Sequence, residues 1–259
     1  MPRAPDQANV RQESICQMLS GGKQISTSVL AKRFGVDVIT IRRDLQHLEQ
    51  AGMVIRRHGG AITAQRISFE FKFDQRHQTN LKQKKKIGQA AHQQIGERQI
   101  IFLDNGTTTL EIARALRYST CHCTVITSSL VISSELWACA HIELVLLGGV
   151  VRQNSPDLVG SATEYMLDRL TADIAFLGSE GIDLNRGSFS ESIETARICE
   201  RMANNSKRVV VAADSSKLGI PGAARYAVLQ DIDEIITDQG AAKDIVSALR
   251  KKKITVTLV

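Results

Sequence analysis

Seven short apolar runs recur through the last two thirds of the chain: Ile100–Asp104, Val125–Ser129, Ile142–Gly149, Asp173–Gly178, Arg208–Asp214, Ile232–Asp238 and Ile254–Val259. Helix-sized stretches separate them. Strands that alternate with helices predict a mainly parallel sheet covered by those helices, an α/β domain. A second regularity follows the first. Polar or glycine-rich segments stand at the carboxyl ends of the runs: Asp104-Asn-Gly106-Thr107-Thr108-Thr109, Thr127-Ser128-Ser129, Gly148-Gly149, Gly178-Ser-Glu180 and Asp214-Ser-Ser-Lys217. Gly, Ser and Thr also make ordinary turns and caps, but five such loops at one sheet end point to a ligand crevice, the place where open α/β sheets bind.

The first loop runs into a helix, so its amides and the hydroxyls of Thr107, Thr108 and Thr109 suit a phosphate. Thr127 and Ser128 complete the cradle, and Lys217 supplies a cation. Asp104, Gly106, Gly148 and Gly149 belong to the same candidate site. Neither a Walker A sequence nor a GxGxxG fingerprint is present, so nucleoside triphosphate and dinucleotide readings lack support and no cofactor is implied. A phosphorylated small molecule fits better.

The first third has a different pattern. Ile15, Met18 and Leu19 share a helical face that stops near Gly21-Gly22; Ser26-Thr27-Ser28 opens a short helix ending at Gly35; Val38, Ile41, Leu45 and Leu48 repeat at helical spacing until Gly52. At about 100° per residue, the face opposite Ile41 carries Ile39, Arg43, Gln46 and Gln50, with Thr40 and Arg42 on its flanks. Arginine pairs with guanine or grips phosphate, and glutamine pairs with adenine, so this face suits a DNA groove. Asp44, nearer the seam, is expected to orient a neighbouring base contact. Met53–Ile62 reads as two strands around a basic tip, a wing that would lay Arg56, Arg57 and His58 on the DNA backbone or minor groove.

Charge agrees with this division. Through Lys86 there are 16 Lys+Arg against 7 Asp+Glu, whereas the remainder carries 17 against 20. A basic front third suits a polyanion. Phe69, Phe71 and Phe73, followed by Lys82–Lys86, read as a linker; the phenylalanines either dock between domains or form an edge strand, and the lysines either touch DNA or, the favoured reading, solvate a helix start. No apolar run reaches a membrane span, the N-terminus lacks a secretory signal, and five cysteines suit reduced thiols in the cytoplasm. Cys121-His122-Cys123 lacks a second ligand pair at metal-site spacing and reads as structural.

Thr40-Ile-Arg-Arg-Asp-Leu45, Leu48-Glu49, Gly52 and Arg57-His-Gly-Gly-Ala61 together resemble the DeoR family of bacterial sugar-metabolism regulators. The likeness continues through Leu103–Thr109, Val125–Ser129, Leu147–Gly149, Phe176–Gly178, Gly181–Asp183 and Ala213–Lys217. It implies a winged helix-turn-helix at residues 8–63 with Ser26 and Thr27 in the DNA-binding motif, a linker at 64–86, and a sensor at 87–259 sharing the fold of ribose-5-phosphate isomerase. It further implies a repressor that a phosphorylated sugar or sugar alcohol releases from double-stranded operator DNA. A homo-oligomer is expected, because one short helix reads too few base pairs. The rival reading is a sugar-phosphate isomerase with a DNA-binding appendage. Glu180, Asp183, Glu191 and Glu194 are its candidate bases, yet Leu184–Ser190 lacks the Lys-Gly-Gly-Gly-type segment of those enzymes, so no enzyme is expected.

Overall fold

A computed structural model describes residues 7–19, 24–50, 53–57, 59–63, 73, 75–152 and 155–259. The chain forms two compact units, one built on Met1–Arg76 and the other on His77–Arg152 and Pro156–Val259.

The first unit runs α1 (Gln7–Leu19), β1 (Ile25–Ser26), α2 (Thr27–Phe34), α3 (Val38–Gln50), β2 (Val54–Arg57) and β3 (Gly60–Thr63). Its core is Ile15, Leu19, Leu30, Ile41, Leu45 and Leu48. These are the apolar positions of the helical repeat, and each contributes about 1.5–3 kcal/mol by leaving water. Gly35 ends α2 in the left-handed conformation, φ 63°. The expected helix ends at Gly21-Gly22 and Gly52 lie outside the described residues. β1 and β2 flank β3 in a three-stranded antiparallel sheet. Gly60 is required where β1 crosses β3, because a Cβ there would stand 2.3 Å from the Ile25 carbonyl oxygen.

The second unit begins with α4 (Leu81–His92), which contains the Lys82–Lys86 run. Residues 77–86, read as linker, are thus part of this unit. Then follow β4 (Ile100–Leu103), α5 (Thr107–Arg117), β5 (Cys123–Thr127), α6 (Leu130–Leu136), β6 (Ile142–Leu146), a ribbon of β7 (Val150–Val151) and β8 (Leu158–Val159), α7 (Ser161–Leu167), β9 (Ile174–Leu177), β10 (Gly181–Asp183), β11 (Gly187–Ser190), α8 (Ile193–Asn204), β12 (Val209–Ala212), β13 (Ala224–Ala227), β14 (Glu234–Thr237), α9 (Lys243–Lys251) and β15 (Thr255–Leu258). All seven runs form one sheet, ordered β15-β14-β12-β9-β4-β5-β6, and every pairing in it is parallel. Right-handed crossovers place α5 and α6 on one face and α8 and α9 on the other. Buried Phe102, Leu177, Val211 and Ile235 lie in the core that results. An antiparallel sheet, β10-β11-β13, and the β7-β8 ribbon are additions that the apolar pattern did not signal.

Candidate functional site

The strand order fixes where a ligand can sit. β4 pairs with β5 on one side and β9 on the other, so the winding reverses between β4 and β9. A crevice opens outside the carboxyl ends of strands at such a reversal. Because all seven strands are parallel, the five polar loops do stand at that one end. The loops after β4 and β9 border the reversal itself; those after β5 and β12 lie one strand beyond on either side, about 4.8 Å each. Gly148 and Gly149 follow β6 at the sheet edge and are the farthest. They make a structural turn: Thr163 donates to the Gly148 carbonyl at 2.7 Å, and a Cβ on Gly149 would meet the Thr163 hydroxyl at 2.1 Å.

Asp104 braces the crevice. Its Oδ1 accepts from the Gly106 amide (2.8 Å) and the Thr109 hydroxyl (2.5 Å), and its Oδ2 accepts from the Gly178 amide (2.6 Å), tying the two loops across the reversal. Burial pushes its carboxyl above the ordinary range, and the hydrogen bonds pull the other way. On the far side of Gly178, the Tyr226 hydroxyl donates to its carbonyl at 2.8 Å and accepts from Ser188 at 2.8 Å. Burial raises the Tyr226 pKa well above its ordinary value, so it stays a neutral donor.

With Asp104 and Thr109 occupied as braces, the groups open to a ligand are different ones. Gly106 caps α5 without a side-chain bond, and the first intrahelical bond is from Leu110 to the Gly106 carbonyl. The amides of Thr107, Thr108 and Thr109, and the hydroxyls of Thr107 and Thr108, have no partner among the described residues. Thr127 and Ser128 are buried beneath Pro156–Leu158: the Leu130 amide donates to Pro156, and the Leu158 amide to Ser128. The Thr127 hydroxyl accepts from the Ser129 amide at 3.1 Å. Lys217 reaches toward the crevice but is paired with Glu180 at 2.7 Å. Arg152, which the sequence reading missed, forms a two-point pair with the fully buried Asp157 (2.8 and 3.0 Å) and approaches Glu191 and Ser192. Cys121, His122 and Cys123 sit at the opposite end of β5; among the described residues no three His, Cys, Asp or Glu converge on a metal-sized gap.

In the first unit, Ile39, Arg42, Arg43 and Gln46 are exposed on α3 and Thr40 is half-buried. Neither Arg42 nor Arg43 has an ion pair or hydrogen bond among the described residues. Asp37 caps α3 by accepting the Thr40 amide at 2.6 Å, and that bond holds its carboxyl below the usual range. Asp44 does not orient a base contact. It is buried and accepts from Arg11 (2.6 and 3.2 Å) and Gln12 (2.9 Å), pinning α1 to α3. Ser26 caps α2 by accepting the Val29 amide, and the Thr27 amide donates to Gly59. Arg56 stands 3.8 Å from Glu49 at the root of the wing. His58 and the side chain of Arg57 lie outside the described residues.

Two family models match in chain order, a DeoR-like helix-turn-helix domain over residues 11–66 and a DeoR C-terminal sensor domain over residues 79–239. The chain belongs to the DeoR family. This DeoR-family chain is 33% identical to a putative aga operon transcriptional repressor of Escherichia coli O157:H7, over 96% of its own length and 93% of that protein. It is 26% identical to the glycerol-3-phosphate regulon repressor of Escherichia coli K12, over 96% and 98%. Ribose-5-phosphate isomerase A of Methanocaldococcus jannaschii shares 20% identity over 54% of this chain and 55% of that one, with a TM-score of 0.41. The DeoR-family protein is therefore a DNA-binding transcriptional regulator with a small-molecule sensor domain, not an enzyme. In the DNA-binding unit α3 carries an exposed polar face, and Ser26 caps α2. Ser26→Ala is expected to lower stability by about 1 kcal/mol in thermal unfolding.

Proposed function

We propose that this regulator represses sugar-utilisation genes and is released from its operator by a phosphorylated sugar or sugar alcohol bound in the crevice. One observation carries the reading: at the point where the winding reverses, the uncapped N-terminus of α5 presents three amides and two hydroxyls that have no partner among the described residues. Donors alone, aimed from a helix N-terminus, favour a dianion. A relative named for the glycerol-3-phosphate regulon agrees in chemistry. Lys217 adds the cation by exchanging Glu180 for phosphate.

The same loop is tied to the first helix of the sensor unit. Asn80, at the start of α4 and in a left-handed conformation (φ 55°), donates to Asp214 at 2.9 Å, and Asp214 caps the turn that carries Lys217. Movement of Lys217 toward phosphate is transmitted through Asp214 to Asn80, where the chain arrives from the DNA-binding unit. The effector need only bind the low-affinity state better; a 100-fold preference is about 2.7 kcal/mol. The working form is a cytoplasmic homo-oligomer pairing on a two-fold operator, and a monomer in sedimentation, both free and with operator, would contradict it. Among the described residues no helix is long and apolar enough to cross a membrane.

The test is a thermal-shift series on the full chain with triose, pentose and hexose phosphates and their unphosphorylated parents. At least one phosphate should raise the melting temperature, by about 2.7 kcal/mol of stabilisation at 100 times its Kd. Lys217→Ala and Thr107→Val are expected to abolish that shift. A shift of wild-type size in either variant removes that residue from the site.

A further inference from the structure

The exposed stripe of α3 has one member whose chemistry differs from the rest. Counting from buried Ile41 at about 100° per residue, Ile39, Gln46, Gln50 and Arg43 fall within about 60° of one another on the opposite side. Arg43, Gln46 and Gln50 are polar, whereas Ile39 is an isoleucine with 64% of its surface in water, the most exposed large apolar side chain described in the DNA-binding unit. Its position is held firmly. Asp37 caps the first turn through the Thr40 amide, and Ile41 and Leu45 anchor the helix in the core. Side chains near the N-terminus of a recognition helix are the ones that reach base edges.

We infer that Ile39 is a specificity-determining residue that reads the C5-methyl group of a thymine in the operator. The inference deepens the groove reading of α3 and rests on it. An aliphatic side chain can neither pair with phosphate nor hydrogen-bond a base edge, and in the major groove only thymine among the four bases presents a methyl group. Arg43, one turn on along the same stripe, carries the matching charge for a guanine or a phosphate. Four residues of helix advance about 6 Å, close to two base-pair steps of about 3.4 Å. The thymine read by Ile39 therefore lies about two base pairs from the base that faces Arg43.

The experiment begins with selection of a randomised duplex library by the full-length protein, which defines the preferred site. Each thymine of the enriched half-site is then replaced in turn by deoxyuridine, which removes only the methyl, and affinity is measured by fluorescence anisotropy. At one thymine, wild type is expected to weaken about four-fold, the factor of one buried methyl group. Ile39→Ala should bind the thymine and uracil duplexes equally there while keeping the other base preferences, and Ile39→Val should retain part of the discrimination. Because Ile39 is exposed, both variants should melt with wild type. The same thymine–uracil difference in Ile39→Ala as in wild type, or no thymine sensitive to the replacement, overturns the assignment. If Arg43→Ala also leaves site preference untouched, or no site is enriched at all, it is the groove reading of α3 that has failed, and the assignment fails with it.

Discussion

Arg43→Ala is expected to weaken specific operator binding by roughly 10–100-fold, the 1–3 kcal/mol of one base contact, with no change in thermal stability. The side chain is exposed and makes no ion pair or hydrogen bond among the described residues, so its removal costs the fold little. The loss should fall on the specific duplex and relax preference at one position, whereas removal of a phosphate contact would weaken all sequences alike. Titration of specific and scrambled duplexes at several salt concentrations separates the two. An equal loss on both duplexes would move Arg43 from base to backbone, and no loss on either would take α3 out of the groove.

Asp104→Ala should be the most damaging single change in the sensor unit, lowering stability by about 3–5 kcal/mol. Asp104 is 4% exposed and accepts from two amides and a hydroxyl. Removing the carboxylate leaves the Gly106 and Gly178 amides without that acceptor, at about 1–3 kcal/mol each, while the Thr109 hydroxyl keeps the Gly106 carbonyl at 2.8 Å. Asp104→Asn should lie between, since its amide nitrogen would face the Gly178 donor. Calorimetry of the full chain reads the effect as a fall in the sensor transition, and an unchanged transition would contradict the bracing role. The pH dependence has a definite sign. Burial raises the Asp104 pKa above its ordinary 3.8, so the native state holds this proton more tightly than the unfolded chain. Its contribution favours the fold at the acid end of the window between the two values and is lost as pH rises through the native one.

The parallel sheet was legible because its central strands β4, β9 and β12 are continuous apolar runs, the signature of a strand covered on both faces. The crevice was legible for the same reason, since the loops between such runs must gather at the sheet ends. Gly181–Asp183 and Gly187–Ser190 gave no such signal: they are short and rich in glycine and serine, and they pair with each other and with β13. Arg152 was missed because its partners Asp157, Glu191 and Ser192 come from a two-residue ribbon and the approach to α8. Residue type located Asp104, Thr109 and Lys217 but not their duties. A buried carboxylate with three donors is a brace, and Lys217 is held in an ion pair with Glu180. Asp44 shows the same limit, because its partner Arg11 lies 33 residues away. The lysines of 82–86 do stand at a helix start, but their charge hid that Lys84 shares the buried face of α4 with Ile87 and Ala91.

The most direct test is an operator titration by fluorescence anisotropy with the full-length protein, run with and without the sugar phosphate that gives the largest thermal shift. Wild type should release operator on addition of the phosphate and not on addition of its unphosphorylated parent at equal concentration. Lys217→Ala and Thr107→Val should bind operator as wild type does and fail to release it. Release by the unphosphorylated sugar, or release of wild-type size by both variants, would contradict a phosphate-triggered switch in this crevice.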